Sequence, residues 1–241
     1  MANFERNITG AQAVTDLMRQ MGLTPPTSVF DTQDPTARQL WALATRAGQR
    51  LLAEHDWQVL SAEYQITTSP GTPDYPLPED YDRFVTDSQW NRSTRLPAIG
   101  SLREYEWQML KARNLAGTTF TMLFRVEQDQ ITFYETPSTI QLIVFPYVTR
   151  SWVRAANDDL RDNLQADDDV VLYDSQLFKA KLELDFRRDK GFDVTLQEQT
   201  YDDLLEVAIG RDTPGRTLSL AQRNTYPYLG VINIPDTGYG S

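Results

Sequence analysis

The feature that most constrains this chain is a double change of hydrophobic period. Apolar residues recur at helical spacing up to about residue 56 and alternate from 57 to about 148. From 174 to 210 they return to helical spacing. Helices and strands present one face at different periods, so no single element type satisfies all three stretches. The order helix, strand, helix excludes both a pure bundle and a pure sandwich. It predicts an α+β fold, a helical bundle built from N- and C-terminal helices with an inserted antiparallel β domain and an extended C-terminal tail. The expected divisions are 1–56 with 170–210 for the helical domain, 57–169 for a β-rich domain with one inserted helix, and 211–241 for the tail.

The first helix is expected over Gly10–Met21, with Val14, Leu17, Met18 and Met21 on one face. Gly22 and Pro25-Pro26 end it. Asp34-Pro35 opens the second, as an N-cap followed by proline at the first helical position. Leu40, Leu43, Ala47 and Leu51 continue it to about Glu54–Asp56. The single histidine, His55, falls at its end, where a cation suits the helix dipole. Nothing beside it supplies a nucleophile or an orienting group, so it reads as structural.

From Trp57 the pattern is that of strands. Leu60, Ala62, Tyr64 and Ile66 alternate with polar residues. Ser69-Pro70-Gly71-Thr72-Pro73 is a turn. Tyr75-Pro76-Leu77-Pro78-Glu79-Asp80-Tyr81 reads as a corner whose prolines leave it barely able to pair in a sheet. Phe84–Trp90 is a candidate strand. Ser101-Leu102-Arg103-Glu104 has the spacing of a capping box and predicts a helix over Leu102–Arg113. Phe120–Val126, Ile131–Glu135 and Ile140–Val148 read as three strands joined by tight turns, the first turn at Gln128-Asp129-Gln130, and predict an antiparallel meander.

An acidic stretch follows. Asp158, Asp159, Asp162, Asp167, Asp168 and Asp169 face only Arg154 and Arg161 between residues 154 and 169, a local balance of −4. Asp174-Ser175 then caps a segment reaching Lys190, stopped by Gly191. Phe178, Ala180, Leu182, Leu184 and Phe186 alternate strictly there, as in a strand. The length of the run and its Leu, Lys, Ala and Glu content decide for helix. A second capping-box spacing, Thr195-Leu196-Gln197-Glu198, opens a last helix ending at Gly210. Residues 211–241 hold four Gly and three Pro, carry +1 and show no period. Apolar flecks in such a segment suit ordering against a partner, with Arg223, Tyr226, Tyr228, Leu229 and Tyr239 as its contacts and the two central tyrosines as aromatic anchors.

Composition excludes several chemistries. The 241 residues include no Cys and one His. Disulfide frameworks, thiolate zinc sites, iron–sulfur clusters and two-histidine metal sites are therefore excluded. A formal charge of −11 speaks against gripping nucleic acid, which is held mainly by Lys and Arg on phosphates. No secretory leader and no membrane-spanning segment is expected, since residues 1–6 lack a basic start and apolar run and the longest apolar stretch, around Ile143-Val144-Phe145, is far too short to span. Assembly in a cytosol-like compartment is expected, with no membrane partner. The Asp run lacks the alternating spacing of a helix–loop–helix calcium site, so no metal and no cofactor is expected. Carboxylate pairs such as Glu79-Asp80 and Asp202-Asp203 leave open a hydrolase of bacterial polysaccharide, which needs two carboxyls about 5–10 Å apart across a cleft. No phosphate-binding glycine loop or nucleophile elbow is present, so no catalytic residue is assigned.

The organisation resembles the head-to-tail adaptor proteins of short-tailed bacteriophages, the tail tubular protein A type. The resemblance is carried by Tyr75–Tyr81 with Phe84, by Ser101-Leu102-Arg103-Glu104-Tyr105-Glu106-Trp107, and by Phe178–Arg188 followed by Gly191-Phe192. It runs from about Ala37 to Gly210. It implies a structural virion protein in the tail or neck, assembled in the host bacterial cytoplasm. It further implies a homo-oligomeric ring, a dodecamer, joining the portal protein to the tail nozzle or tail tube around a channel through which DNA passes without specific binding. On that reading the tail reaches a neighbouring component, and Asp158–Asp169 lie on the channel wall or at a ring contact. The tail-associated carboxylate hydrolase stands as the alternative.

Overall fold

The computed structural model describes residues 7–113 and 121–212. A short strand β1 (Ile8–Thr9) leads directly into helix α1 (Gly10–Gln20), and helix α2 spans Pro35–Glu54. One 3-10 turn (Gln58–Leu60) precedes β2 (Ser61–Thr67), β3 (Asp74–Pro76), β4 (Tyr81–Phe84), β5 (Trp90–Asn91) and β6 (Leu96–Pro97). Helix α3 (Glu104–Arg113) is followed by β7 (Phe124–Glu127), β8 (Gln130–Phe133), β9 (Leu142–Thr149), β10 (Val153–Arg154), β11 (Leu160–Arg161) and β12 (Val170–Val171). Helices α4 (Ser175–Lys190) and α5 (Thr195–Asp212) close the described chain. The fold is α+β, as the periods require.

Local chemistry sets the helix ends. Thr9 and Gln12 form a capping box at α1, with the Thr9 hydroxyl accepting from the Gln12 amide and the Gln12 side chain accepting from the Thr9 amide. Asp34 accepts from Thr36 N–H at α2, ahead of Pro35. Asp174 accepts from the Gln176 and Leu177 amides at α4. Gly191 closes α4 at φ 72°, the left-handed conformation that favours glycine.

Two expected capping boxes do not form. Ser101 Oγ instead accepts from Val126 N–H of β7, and α3 begins at Glu104. Asp193, not Thr195, caps α5 by accepting from the Thr195 amide and hydroxyl. In each case a nearer or better-aimed donor and acceptor pair wins over the spacing.

The strands form three sheets. The strand β9 is central to one, paired with β2 along one edge and with β4 and β5 in succession along the other. Pro146 of β9 lies between the stretches that β5 and β4 cover, where only its carbonyl is used, by Val85 N–H. The strands β3, β8 and β7 make the second sheet, with Gln128 and Asp129 at φ 49° and 59° in the two-residue turn from β7 to β8. The expected meander is thus corrected. The third strand, β9, leaves the β7–β8 hairpin for another sheet. The Tyr75 corner is corrected too, because Asp74–Pro76 does pair, at a sheet edge against β8. The candidate strand Phe84–Trp90 is broken, with β4 ending at Phe84 and β5 starting at Trp90.

Two cores result. One joins Val14, Leu17, Leu40, Ala44, Leu51, Phe178 and Leu182 of the helices with Trp57, Trp152, Val153, Leu164 and Val171. The small sheet β1-β12-β10-β11 therefore packs with the helices. The other core holds Ile66, Phe124, Ile131, Phe133, Ile143 and Phe145 between the remaining sheets. Helix α4 is packed against α1, α2 and α5. Its buried residues, Leu177, Phe178, Lys181, Leu182, Leu184, Asp185 and Phe186, surround much of its circumference, which explains the strand-like alternation in its sequence. Among the described side chains of α3 only Trp107 is buried, with Arg125 and Lys111 over its ring and Tyr134 edge-on to it, while Tyr105 is exposed.

Candidate functional site

The β4 strand approaches the C-terminal end of α2, and the residues just after that end, Trp57, Gln58 and Val59, line a groove. Arg83 of β4 reaches across to the helix end. Its Nη2 donates to the carbonyls of Leu52 and His55 at 2.9 and 3.1 Å, and its Nε donates to Asp56 at 2.7 Å. Those carbonyls are orphan acceptors at a helix C-terminus, so a cation from the β module caps the helical one. Asp82 holds the same guanidinium from its own strand. His55 then turns to the other end of the chain, with Nε2 3.2 Å from Asp212 Oδ2, the last described residue of α5. The same oxygen accepts from Gln58 N–H at 2.9 Å. His55 is thus structural, edge-on to Trp57 and tied to Asp212.

The groove beside this clamp has a volume of about 960 Å³. Asn7 and Thr9, Gln58 and Val59, Arg154 of β10, and Ala208 and Arg211 of α5 are among its lining residues. The point where α5 ends, at Asp212, is in its wall. Helix α5 thus runs two residues beyond its expected end at Gly210. The expected tail contacts Arg223, Tyr226, Tyr228, Leu229 and Tyr239 lie outside the described residues.

The acidic stretch divides into two kinds of carboxylate. Asp169 is fully buried, and its Oδ2 accepts from the Gln165 and Ala166 amides at 2.5 and 2.8 Å, with Arg161 3.5 Å from Oδ1. Asp167 Oδ1 accepts from the Val29 and Phe30 amides at 3.0 and 2.8 Å, tying the loop before α2 to this stretch. Asp158, Asp159, Asp162 and Asp168 are exposed. Asp158 takes the turn between β10 and β11 at φ 64°, and Asp159 accepts from Asn157. Among the described residues, no three acidic or histidine side chains converge as metal ligands do.

The Tyr75–Tyr81 corner does structural work that its sequence did not disclose. Asp80 accepts from the Tyr147 hydroxyl at 3.0 Å and the Thr149 hydroxyl at 2.6 Å, and Arg150 donates to the Glu79 carbonyl. The corner is thereby pinned to β9. Burial first, then the Asp80 hydrogen bond and charge, pushes the Tyr147 hydroxyl up to about 12. Burial likewise raises Tyr173, and burial with Glu54 raises Tyr201. All three stay neutral hydroxyl donors. Tyr201 donates to Glu54, whose other oxygen takes the buried Lys181 at 2.6 Å, locking α2, α4 and α5 together.

Arg83 and Asp80 are the residues that spacing missed. Each acts on a partner more than 20 residues away, and only the flanking Asp82 or the corner prolines hint at either. No helix among the described residues is long and apolar enough to cross a membrane. A family model described as SU10 adaptor protein matches residues 8–225, all but the first seven and last sixteen of the chain. No curated protein matches the chain.

Proposed function

The chain belongs to the SU10 adaptor protein family of phage head-to-tail adaptors, and from that premise we propose that it forms a ring joining the portal to the tail around the DNA channel. As a member it is a phage structural protein of the virion neck that binds portal and tail components. The finer reading is a homo-oligomeric ring, a dodecamer, assembled in the host bacterial cytoplasm. The family match over residues 8–225 is the observation that carries it.

Physical features support the reading. The body is interlocked rather than jointed. Arg83 ties the β module to α2, and Asp212 ties the end of α5 to the same place. An adaptor that bears load between two larger assemblies needs such stiffness. The segment after Asp212 starts from this clamped point, so a partner engaging Arg223, Tyr226, Tyr228, Leu229 or Tyr239 would pull on the rigid body directly. The four exposed aspartates 158, 159, 162 and 168 concentrate negative charge on one hairpin and loop. On a channel wall they would repel phosphates and let DNA slide. The protein acts without catalysis on this reading. Of the Glu79-Asp80 pair that the hydrolase alternative would use, Asp80 is occupied by Tyr147 and Thr149.

Electron microscopy of the purified chain mixed with its portal protein tests the reading. Ring density seated under the portal is expected. A chain that stays monomeric beside the portal at every concentration refutes it.

A further inference from the structure

The groove at the junction holds two cations without an ion-pair partner among the described residues. Most other arginines and lysines of the described chain have a partner: Arg46 with Asp189, Arg50 with Asp185, Arg92 with Glu63, Lys179 with Asp16, Arg188 with Glu198. Arg154 and Arg211 both line the groove and both are exposed, and neither makes an ion pair or side-chain hydrogen bond within the described residues. The groove's two carboxylates do not serve them. Asp174 is spent capping α4, and Asp212 is spent on Gln58 and His55. Apolar surface lies beside the arginines. Val59 is 49% exposed there, and Leu172 and Ala208 also line the wall.

We infer that this groove is a docking slot for an extended acidic peptide segment of another protein, with carboxylates on Arg154 and Arg211 and an aliphatic side chain against Val59 and Ala208. Charge complementarity selects the occupant. Two guanidinium forks unpaired among the described residues, in a chain of charge −11, are matched by carboxylates, which they bind bidentately. The volume of about 960 Å³ takes several residues, not a lone ion. A nucleic-acid backbone is disfavoured, because its dense phosphates would also meet Asp158 and Asp159 on the hairpin that follows Arg154. A peptide with two carboxylates need not reach them. The inference concerns the partner's chemistry and stands whether or not the chain forms a ring.

The test uses the full chain and an end-capped, fluorescein-labelled octapeptide of alternating aspartate and leucine, read by fluorescence polarisation. Saturable binding that weakens with salt is expected. Arg154→Gln and Arg211→Gln should each weaken it on the order of ten-fold, and an asparagine–leucine peptide should bind comparably worse. Both side chains are exposed, so circular-dichroism melts of the variants should match the parent. Absence of saturable binding, equal binding of the asparagine peptide, or unchanged binding by both variants overturns the inference. So does tighter binding of a single-stranded octanucleotide than of the peptide. A photo-crosslinking residue at position 59 supplies the second readout. Capture of the chain's own residues 1–6 or 213–241 in place of the peptide would also overturn it.

Discussion

Replacing Gly48 by alanine sets two known effects against each other, and the structure decides the sign. Gly48 lies inside α2, where alanine would normally add about 1 kcal/mol by helix propensity. A Cβ at this position, however, falls 2.3, 2.4 and 2.5 Å from three ring carbons of Trp152. Unstrained carbon contacts lie near 3.5–4.0 Å, so ring or helix must retreat by about 1 Å. Neither has room. Trp152 is fully buried, stacked on Tyr173 with centroids 6.0 Å apart and leaning on Phe178 at 6.2 Å. Tyr173 in turn donates its hydroxyl to the Gly48 carbonyl at 3.1 Å, which fixes the helix against the ring. Overpacking of a closed site costs about 1–3 kcal/mol, and the upper end applies here. The expected net loss for Gly48→Ala is about 2 kcal/mol, a Tm lower by roughly 4–8 °C for a chain of this size. Thermal unfolding followed by far-UV circular dichroism measures it. The same substitution in a Trp152→Ala background should change sign, because the clash is gone and only propensity remains. A Gly48→Ala protein as stable as its parent, or more so, would refute the packing reasoning.

Four further substitutions probe the clamps and the acidic stretch. Asp80→Ala strips the acceptor from Tyr147 and Thr149 and should cost about 2–3 kcal/mol. Its second signature is in alkaline titration. Tyr147 is raised to about 12 in the folded chain, so its stabilisation is full below the ordinary tyrosine range and lost as pH climbs to about 12. Removing Asp80 should lower that upper bound only in part, since burial is the larger cause; ultraviolet absorbance of tyrosinate reads it. Arg83→Ala uncaps α2 and unties the β module, and should cost roughly 1–3 kcal/mol and expose the 54–58 segment to limited proteolysis. Joint replacement of Asp158, Asp159, Asp162 and Asp168 by asparagine should leave Tm nearly unchanged while raising retention of double-stranded DNA in a filter-binding assay. Asp169→Ala alone should lose about 1–3 kcal/mol by removing the buried carboxylate that holds the Gln165 and Ala166 amides.

How much of this was legible depended on the range of the interaction. Helix α2 was readable because its N-cap, Asp34-Pro35, is two adjacent residues with fixed roles. The same holds for Asp174 and Gly191 around α4 and for the Gln128-Asp129 turn. Ser101 and Thr195 misled because a hydroxyl serves any suitably placed amide, and Val126 N–H and Asp193 were better placed than the capping-box partners. Strand partnership was the least readable. An apolar alternation states which face is buried but not which sheet is joined, so β9 seemed to continue the β7–β8 hairpin. The site divided the same way. The acidic stretch was visible as composition, whereas the difference between Asp168, exposed, and its neighbour Asp169, buried, is set by where the Gln165 and Ala166 amides point.

That difference changes what the net charge means. A balance of −11 read as a uniform property discourages any approach to DNA. In the folded chain many carboxylates are neutralised locally. Asp169 faces Arg161, Asp185 faces Arg50 and Glu54 faces Lys181. Their fields are largely cancelled within a few ångströms. Exposed charges act on a passing backbone only within about 8 Å at physiological salt. The charge that can influence DNA is therefore the exposed set without ion pairs among the described residues, of which Asp158, Asp159, Asp162 and Asp168 sit together on one short hairpin and the loop after it while Asp202, Asp203 and Glu206 lie on α5. In the proposed ring, the orientation of these surfaces, rather than the total of −11, decides whether a channel would repel DNA.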